Sequence, residues 1–225
     1  MILKNKLFRC SSLHLLIGQP KSKGEILSQT AKNAIRDMVK IDTYGAAGFS
    51  GNKYTKKGLL LEDQAIKLIG DLKFRKFEKN TLRVNTDLLT GEADIVDVCD
   101  KLIIDAKCTW DINTHPFFKD EAMEKIKKAG YDVQINGYMS IFSKELGLDF
   151  NKGEISFCLF PNEIDQFSSQ HDIDMSEAIS NIPLDKRVTT ISIDRDESLI
   201  KRIEDVIPHA QRYYKQLQLE LLGYE

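Results

Sequence analysis

The spacing of apolar residues predicts helices along much of the chain. Between Gly24 and Lys40, apolar side chains such as Ala31, Ile35 and Met38 recur at roughly helical intervals, which is typical of an amphipathic helix. The stretch Thr43–Asn52 carries regularly spaced glycines and is predicted to be a loop. The other predicted helices cover Tyr54–Ile69, Lys119–Lys128, Tyr131–Phe142 and the segment from Asp196 to the carboxyl end, where Pro208 is expected to introduce a kink.

Short β-rich runs separated by turn residues begin at residue 72. Glu92–Val98 and Lys101–Cys108 are predicted to form a hairpin through Cys99 and Asp100. Side chains alternate along a strand, so Asp105 and Lys107 are expected to share one face of the second strand. The remaining predicted strands are Leu72–Glu78, Glu154–Phe160 and Val188–Ile193, with a loop at Asn85–Gly91 and a short helix near Met175–Ser180.

The order of these elements predicts an α/β fold with a central mixed β-sheet flanked by helices. With 225 residues, of which 42% are hydrophobic, the chain is large enough to bury a substantial core. We expect residues 1–225 to form a single domain.

The cysteines and the apolar runs constrain the compartment. The four cysteines are far apart and form no C-x-x-C pair, which excludes a zinc ribbon or redox motif and predicts reduced, mostly buried thiols. The apolar run Leu13–Ile17 is too short for a signal peptide, and no stretch approaches the roughly 18 apolar residues of a membrane span. The sequence therefore predicts a soluble, cytoplasmic protein.

Charge is unevenly distributed along the chain. The formal net charge is only −2, but residues 1–90 carry 17 basic and 8 acidic side chains, a net +9, which leaves −11 for residues 91–225. A basic amino-terminal part of this kind could line a phosphate-binding groove, to which the lysines of Lys119–Lys128 would add. A solvated lysine-rich surface explains the same composition equally well.

One carboxylate lies in an unexpected place in the helix predicted for Tyr54–Ile69. Leu59, Glu62, Ile66 and Ile69 follow the spacing of one helical face, so Glu62 interrupts an apolar stripe. A buried carboxylate is costly unless it is paired or binds a metal. The alternative is that Glu62 lies at the edge of the stripe and reaches solvent.

The segments Gly91-Glu-Ala-Asp94-Ile-Val and Ile104-Asp105-Ala106-Lys107 carry the candidate chemistry. Carboxylates on neighbouring strands can share a hard cation such as Mg²⁺, which prefers oxygen ligands. The Ala106 carbonyl could complete the coordination, and Glu62 could add a third carboxylate. Lys107 would then lie beside a metal-bound water, where it could orient this nucleophile or stabilise charge on an attacked phosphate.

This set of residues resembles the PD-(D/E)XK nuclease superfamily, which has a restriction-endonuclease-like core. Within it, the chain is similar to the phage exonucleases of the lambda exonuclease type and to the YqaJ-type viral recombinases. The resemblance extends from Arg9 to about Phe142, with Ala93 in place of the proline of the family name. It implies catalytic roles for Glu62, Asp94, Asp105 and Lys107, metal ligation by the three carboxylates and Ala106, and a QxxxY motif at Gln134 and Tyr138 that supports the active site and contacts DNA.

The resemblance also implies a substrate, a cofactor and partners. We expect a Mg²⁺-dependent exonuclease, with Mn²⁺ as a substitute, that degrades linear duplex DNA from a 5′ end in phage-type recombination. A single-strand annealing protein and a homotrimer are implied by the same resemblance. Arg9 with Ser11 or Ser12 is the candidate site for a terminal 5′-phosphate. No iron–sulfur cluster is expected, because the cysteines are not clustered near the carboxyl end.

Other interpretations remain open at this point. The same core could belong to a restriction- or repair-type endonuclease, or to a non-catalytic DNA-binding protein. Trp110 and the loop His115–Phe118 could stack on bases or wedge a duplex end, but packing against the core would explain them equally well.

Overall fold

The computed structural model describes residues 5–45 and 53–224. The first half of the chain forms β1 (Phe8–Arg9), a 3₁₀ turn (Cys10–Ser12), α1 (Leu13–Leu16), α2 (Gln29–Tyr44), α3 (Lys53–Leu72), β2 (Val84–Asn85), β3 (Leu89–Gly91), β4 (Ile95–Asp97) and β5 (Leu102–Thr109). The second half forms α4 (Lys119–Ala129), α5 (Tyr131–Leu146), β6 (Lys152–Leu159), α6 (Gln170–Ser180), a 3₁₀ turn (Leu184–Lys186), β7 (Val188–Asp194) and α7 (Glu197–Leu221).

A mixed four-stranded sheet in the order β4-β5-β6-β7 organises the molecule. β4 and β5 form the predicted antiparallel hairpin, β6 runs parallel to β5, and β7 returns antiparallel to β6. The β4–β5 pairing extends only from Ile95 opposite Ile104 to Asp97 opposite Leu102. Beyond Ile104, therefore, β4 leaves the edge of β5 that faces away from β6 uncovered.

The two faces of this sheet pack against different helices. Helix α5 lies on the face that carries Ile103, and it is buried from Gln134 to Phe142 in the larger core, which α2 and α7 complete. Helix α3 covers the other face, where its Ala65, Ile66 and Ile69 pack with strand residues such as Ile104. Helix α5 is therefore buried around most of its circumference, whereas α3 is amphipathic.

A second, three-stranded sheet in the order β1-β3-β2 joins distant parts of the chain. β1 runs parallel to β3, with Phe8 opposite Leu89, and β2 is antiparallel to β3. These strands are two or three residues long, too short to show a period in the sequence.

The tight connection between α4 and α5 depends on a glycine. Gly130 ends α4 and begins α5 in the left-handed conformation, with φ of 71°. A Cβ at this position would overlap the Cβ of His14 in α1, so the turn approaches α1 too closely for any side chain.

The predicted α/β architecture with a central mixed sheet flanked by helices is confirmed, and several element boundaries differ from the prediction. The first long helix begins at Gln29, capped by the Ser28 side chain, rather than at Gly24. The loop predicted at Asn85–Gly91 contains β3 and part of β2, and α6 is longer than the helix predicted near Met175. Of the predicted loop Thr43–Asn52, the first two residues belong to α2, and residues 46–52 lie outside the described part.

The strand predicted at Leu72–Glu78 is wrong. Helix α3 continues to Leu72, and the following segment is irregular, with Phe74 at a positive φ of 54° and 97% exposed. Ion pairs hold this segment instead of a sheet ladder: Lys73 pairs with Glu154, and Arg75 pairs with Asp97 and Asp100. The residues of this segment alternate as in a strand, but among the described residues no strand lies beside them to pair with.

Two further expectations concern the cysteines and the membrane. Cys10 and Cys158 are buried, Cys108 is partly exposed and Cys99 is exposed, so the thiols are free but only half of them are buried. Among the described residues, no helix is long and apolar enough to cross a membrane.

Candidate active site

The two strand carboxylates meet where β4 separates from β5. Asp94 directly precedes β4, and the register that places Ile95 opposite Ile104 brings Asp94 beside Asp105. The backbone N–H of Ala106 donates to Asp94 Oδ2 at 2.7 Å. Asp94 thus replaces the missing ladder partner of Ala106, and this hydrogen bond holds its carboxylate at the edge of β5.

Asp105 is buried against α5. Its Oδ1 accepts a hydrogen bond from Gln134 Nε2 at 3.1 Å, and the same amide donates to the Tyr138 hydroxyl at 3.0 Å. Lys107 Nζ lies 2.5 Å from Asp105 Oδ2 and 4.7 Å from the centre of the Tyr131 ring. The predicted alternation, with Asp105 and Lys107 on one face of β5, therefore agrees with the structure.

A cavity of about 660 Å³ opens along the uncovered edge of β5. Successive backbone N–H groups along a strand point in opposite directions, so Cys108 directs its N–H to the same side as Ala106, into this cavity. The cavity lies between α3 on one side and α4 and α5 on the other. Its lining residues include Lys57, Leu59, Glu62, Asp94, Ala106, Lys107, Cys108, Trp110, Thr114, Lys125 and Tyr131.

Burial and like charge act together on the acidic pair. Burial, followed by the charge of Asp105, raises the pKa of Asp94, and the charge of Lys107 and the Ala106 N–H offset this only partly. Burial also opposes the charge of Lys107, but the carboxylates of Asp105 and Asp94 outweigh it and raise the pKa of its ammonium. A positive charge placed between the two aspartates would relieve their repulsion.

Glu62 reaches the same cavity from α3, but it has a counter-ion there. Its carboxylate lies 3.1 Å from Lys79 Nζ, and its side chain is only about 20% exposed. Ile66 and Ile69 of the predicted stripe are buried, whereas Leu59 is 70% exposed, so the stripe was misplaced by part of a turn. Glu62 lies at the edge of this apolar stripe, and its carboxylate is directed towards the cavity and the Lys79 ammonium.

The donor set fits a divalent cation held by few protein ligands. Among residues 5–45 and 53–224, no three His, Cys, Asp or Glu side chains are gathered closely enough to hold a metal ion. Asp94 and Asp105 are nevertheless adjacent, and Asp105 Oδ2 is a buried oxygen that accepts no directed hydrogen bond beside its ion pair with Lys107. Mg²⁺ commonly binds through one or two carboxylates and keeps several waters, which this pair and the Ala106 carbonyl can accommodate.

The proposed 5′-phosphate residues lie outside this cavity. Arg9 and Ser11 are exposed and Ser12 is partly exposed, in β1 and the 3₁₀ turn that packs on α5. The turn approaches α5 closely, because a Cβ on Gly137 would lie 3.2 Å from Cys10 Sγ. Tyr138 follows Gly137, so Arg9, Ser11 and Ser12 lie near the Tyr138 end of the site. This end is opposite the end of the cavity that Lys57 lines.

The basic residues of the amino-terminal part do not gather at the cavity. Among those of the first 90 residues that the structure describes, Lys57 lines the cavity, and many of the others form ion pairs elsewhere. Those pairs are Lys6 with Asp42, Lys32 with Glu25, Lys40 with Asp37, Lys67 with Asp71, Lys73 with Glu154 and Arg83 with Glu92. The local excess of lysine is thus largely a solvated, paired surface, which weakens the expectation of a basic groove.

Lys57 is a candidate site residue that the sequence pattern did not single out. Only 8% of it is exposed, and its ammonium donates to the carbonyls of Trp110 at 2.8 Å and Phe160 at 2.7 Å. Burial lowers the pKa of Lys57 to about 8. A signal was present, because Lys57 begins the stripe that continues through Leu61, Ala65 and Leu68 at helical spacing.

Trp110 and His115 take different positions. Trp110 lines the cavity, with its ring 5.4 Å from Lys57 Nζ. His115 is buried, hydrogen-bonded to the Thr109 hydroxyl at 3.0 Å and packed edge-on against Phe117, which favours the core interpretation.

Comparison with known proteins gives results of different kinds. No family model matches the chain, and no curated protein is found to match it. A solved structure of a phage-related exonuclease from Haemophilus somnus 129PT is 46% identical, with 97% of each chain covered and a TM-score of 0.89. An alkaline exonuclease, LHK-Exo, from Laribacter hongkongensis has 14% identity, with 96% of this chain and 91% of that chain covered and a TM-score of 0.62, which shows a shared fold.

The alignment with this exonuclease covers 97% of each chain, so it spans the elements that form the cavity. Together with the D-x-K arrangement at the edge of β5, it decides the family. The chain belongs to the phage-related exonucleases of the PD-(D/E)XK nuclease type.

Proposed function

We propose that this exonuclease hydrolyses phosphodiester bonds of linear duplex DNA, from a 5′ end and with Mg²⁺ as cofactor. The observation that carries the proposal is the juxtaposition of Asp94, Asp105 and Lys107 at the uncovered edge of β5. Two adjacent carboxylates favour a divalent cation, and an ammonium beside them favours a phosphate. The cavity of about 660 Å³ is large enough to admit a nucleotide.

The proposed roles of the residues follow from their positions. Asp94 and Asp105, with the Ala106 carbonyl, bind Mg²⁺, and Glu62 joins them if Lys79 releases it. Mg²⁺ held by these groups would supply Lewis acidity for the phosphate and would lower the pKa of the attacking water. Lys107, held by Asp105, orients that water and stabilises the negative charge that builds on the attacked phosphate. Gln134 fixes the orientation of Asp105, and Tyr138 accepts the second N–H of Gln134.

We further propose that residues 1–225 act as one nuclease domain in phage-type recombination. Arg9, Ser11 and Ser12 are proposed to bind the terminal 5′-phosphate on the Tyr138 side of the site. Mn²⁺ as a substitute metal, a single-strand annealing partner and a homotrimer remain proposals from the family resemblance.

The function is tested by comparing linear 5′-phosphorylated duplex DNA with covalently closed circular DNA, with Mg²⁺ or with EDTA. We expect only the linear duplex to be degraded, and only in the presence of Mg²⁺. Degradation of the 5′-labelled strand should begin at its labelled end. Asp105→Asn and Lys107→Ala should each lower the rate by about 10²–10³-fold, because each removes a preorganised charge from the site.

Lys152→Ala is the matched control. It removes an exposed lysine from the neighbouring strand, opposite Leu102 at the far end of β5. Cleavage of the closed circle would favour the endonuclease alternative. Metal-independent cleavage, or full activity of Lys107→Ala, would contradict the mechanism, and binding of DNA without any cleavage would favour a non-catalytic DNA-binding protein.

A further inference from the structure

The end of the cavity remote from Gln134 holds two lysines whose hydrogen bonds, within the described part of the chain, go to neutral groups. Lys57 donates to the carbonyls of Trp110 and Phe160, and Lys125 donates to the Thr114 carbonyl at 2.6 Å. Neither ammonium lies within ion-pair distance of a described carboxylate, whereas Lys79 and Lys107 in the same region are paired. Asp111 acts on both lysines only at longer range.

Two partly buried positive charges without a counter-ion are unfavourable. Burial lowers the pKa of both lysines, and the longer-range charge of Asp111 offsets this only partly. An anion between them would supply that compensation. The cavity therefore has an acidic end suited to a cation and a lysine end, formed by Lys57 and Lys125, suited to an anion.

The edge of β5 connects the two ends. From Ala106 to Thr109 this strand spans about 10 Å, so one extended nucleic-acid strand lying along it could contact both ends of the cavity. The Cys108 N–H points into the cavity between the two ends, where it can donate to an anionic oxygen. Cys108 lines the cavity and lies in the chain between Ala106 at the acidic end and Trp110 at the lysine end.

The lining of the lysine end also suits a nucleotide. Trp110 lines the cavity beside Lys57, and Tyr131 lines it beside Lys107. A base can stack on an aromatic ring of this kind. An isolated inorganic anion would need only the lysines. The combination of cations, a backbone donor and aromatic faces along an extended edge favours a nucleic-acid strand.

We propose that the lysine end, with the Cys108 N–H, binds the phosphate that follows the scissile phosphate along the cleaved strand. This inference rests on the proposed function, because it assumes that the scissile phosphate lies at Asp94 and Asp105. The strand would then run from Arg9, Ser11 and Ser12, past the acidic end, to Lys57 and Lys125.

The proposal is tested by removing the charge of one phosphate, the charge of one lysine, or both charges at once. Binding of a 5′-phosphorylated duplex is measured in EDTA, where the proposed hydrolysis does not occur. In one substrate, a neutral methylphosphonate replaces the phosphate between the second and third nucleotides. The protein variants are Lys125→Met, Lys57→Met and the charge-conserving Lys57→Arg, with Lys201→Met on the exposed surface of α7 as control.

We expect the methylphosphonate to weaken binding about tenfold in the unmodified protein and in Lys201→Met, but only about twofold in Lys125→Met and Lys57→Met, because the partner charge is already absent. Lys57→Arg should behave like the unmodified protein. If Lys57→Met does not fold, Lys125→Met and Lys57→Arg decide the question.

An equal loss from the methylphosphonate in all variants would overturn the proposal, since the lysines would then not contact that phosphate. If cleavage still required Mg²⁺, Asp105 and Lys107, the proposed function would stand while this subsite would not. Failure of the unmodified protein to bind or cleave DNA would overturn both.

Discussion

Gln134 holds Asp105 from the α5 side of the sheet, and it does so with an amide that is itself held by Tyr138. A glutamine N–H is a neutral donor, so it can orient a carboxylate without cancelling the charge that a metal requires. Burial, together with the charge of Asp105, raises the pKa of the Tyr138 hydroxyl, so Tyr138 remains protonated, and its contact with Asp105 runs through Gln134. Gln134 contacts Asp105 directly and Tyr138 contacts Gln134, so replacing these two residues should affect activity to different extents.

Replacing Gln134 should therefore cost more than replacing Tyr138. Gln134→Leu removes a hydrogen bond to a charged group and should lower kcat about 10–100-fold with little change in KM. Tyr138→Phe leaves the bond from Gln134 to Asp105 in place and should lower kcat less than about fivefold. Steady-state kinetics on linear duplex DNA measure both. A larger effect of Tyr138→Phe would mean that Tyr138 contacts the substrate itself.

The turn between α4 and α5 positions two elements of the site at once. It sets the direction of α5, which carries Gln134 and Tyr131, and it lies beside α4, which carries Lys125. Gly130 can form this turn because it tolerates a positive φ and because its missing side chain leaves room for His14. The glycine is thus required by backbone conformation and by packing together.

Gly130→Ala should destabilise the protein by about 2–5 kcal/mol. A left-handed alanine costs about 1–2 kcal/mol, and overpacking against a close neighbour adds about 1–3 kcal/mol. Urea denaturation measures the difference in the free energy of unfolding.

Gly147→Ala is the matched control, because Gly147 ends α5 with φ of 64° and a Cβ added there would meet no atom within 4 Å. It should lose only about 1–2 kcal/mol, the backbone contribution. Equal losses in the two variants would show that contact with His14 does not matter.

Across the whole molecule, stability is expected to depend on pH through a buried histidine. His115 is 3% exposed, and burial, followed by the charge of Lys125, lowers its pKa to about 4 from 6.5 in the unfolded chain. The unfolded state then binds more protons than the folded state between pH 6.5 and 4. His115 therefore makes its full contribution to the free energy of unfolding above pH 6.5, and this contribution is lost as the pH falls towards 4.

The free energy of unfolding should therefore fall by an amount on the order of 2–3 kcal/mol across this window through His115 alone. Carboxylates titrate in the same window, so the quantity to measure is the difference between the unmodified protein and His115→Gln. This difference should shrink by that amount between pH 7 and pH 4 in urea titrations. His171→Gln, an exposed position on α6, is the control, and a difference for His115→Gln that stays constant with pH would contradict the prediction.

Sequence periodicity alone was sufficient to predict those parts of the protein in which a single helix or hairpin carries the whole pattern. The hairpin of β4 and β5, the helices α4 and α5, and the shared face of Asp105 and Lys107 all follow from periodicity within a few residues. The family could be inferred for the same reason, because Asp94, Asp105 and Lys107 are close in sequence as well as in space.

Tertiary structure decided everything that depends on distant partners. The sheet of β1, β2 and β3 pairs Phe8 with Leu89, and the segment after α3 is held by ion pairs to Asp97 and Glu154 rather than by strand pairing. Glu62 faces Lys79, and the buried Lys57 donates hydrogen bonds to the carbonyls of Trp110 and Phe160, which directly follow β5 and β6. A sequence determines which residues alternate or recur, but the counter-ion of a charge is set by the folded chain, since the partners lie tens of residues apart.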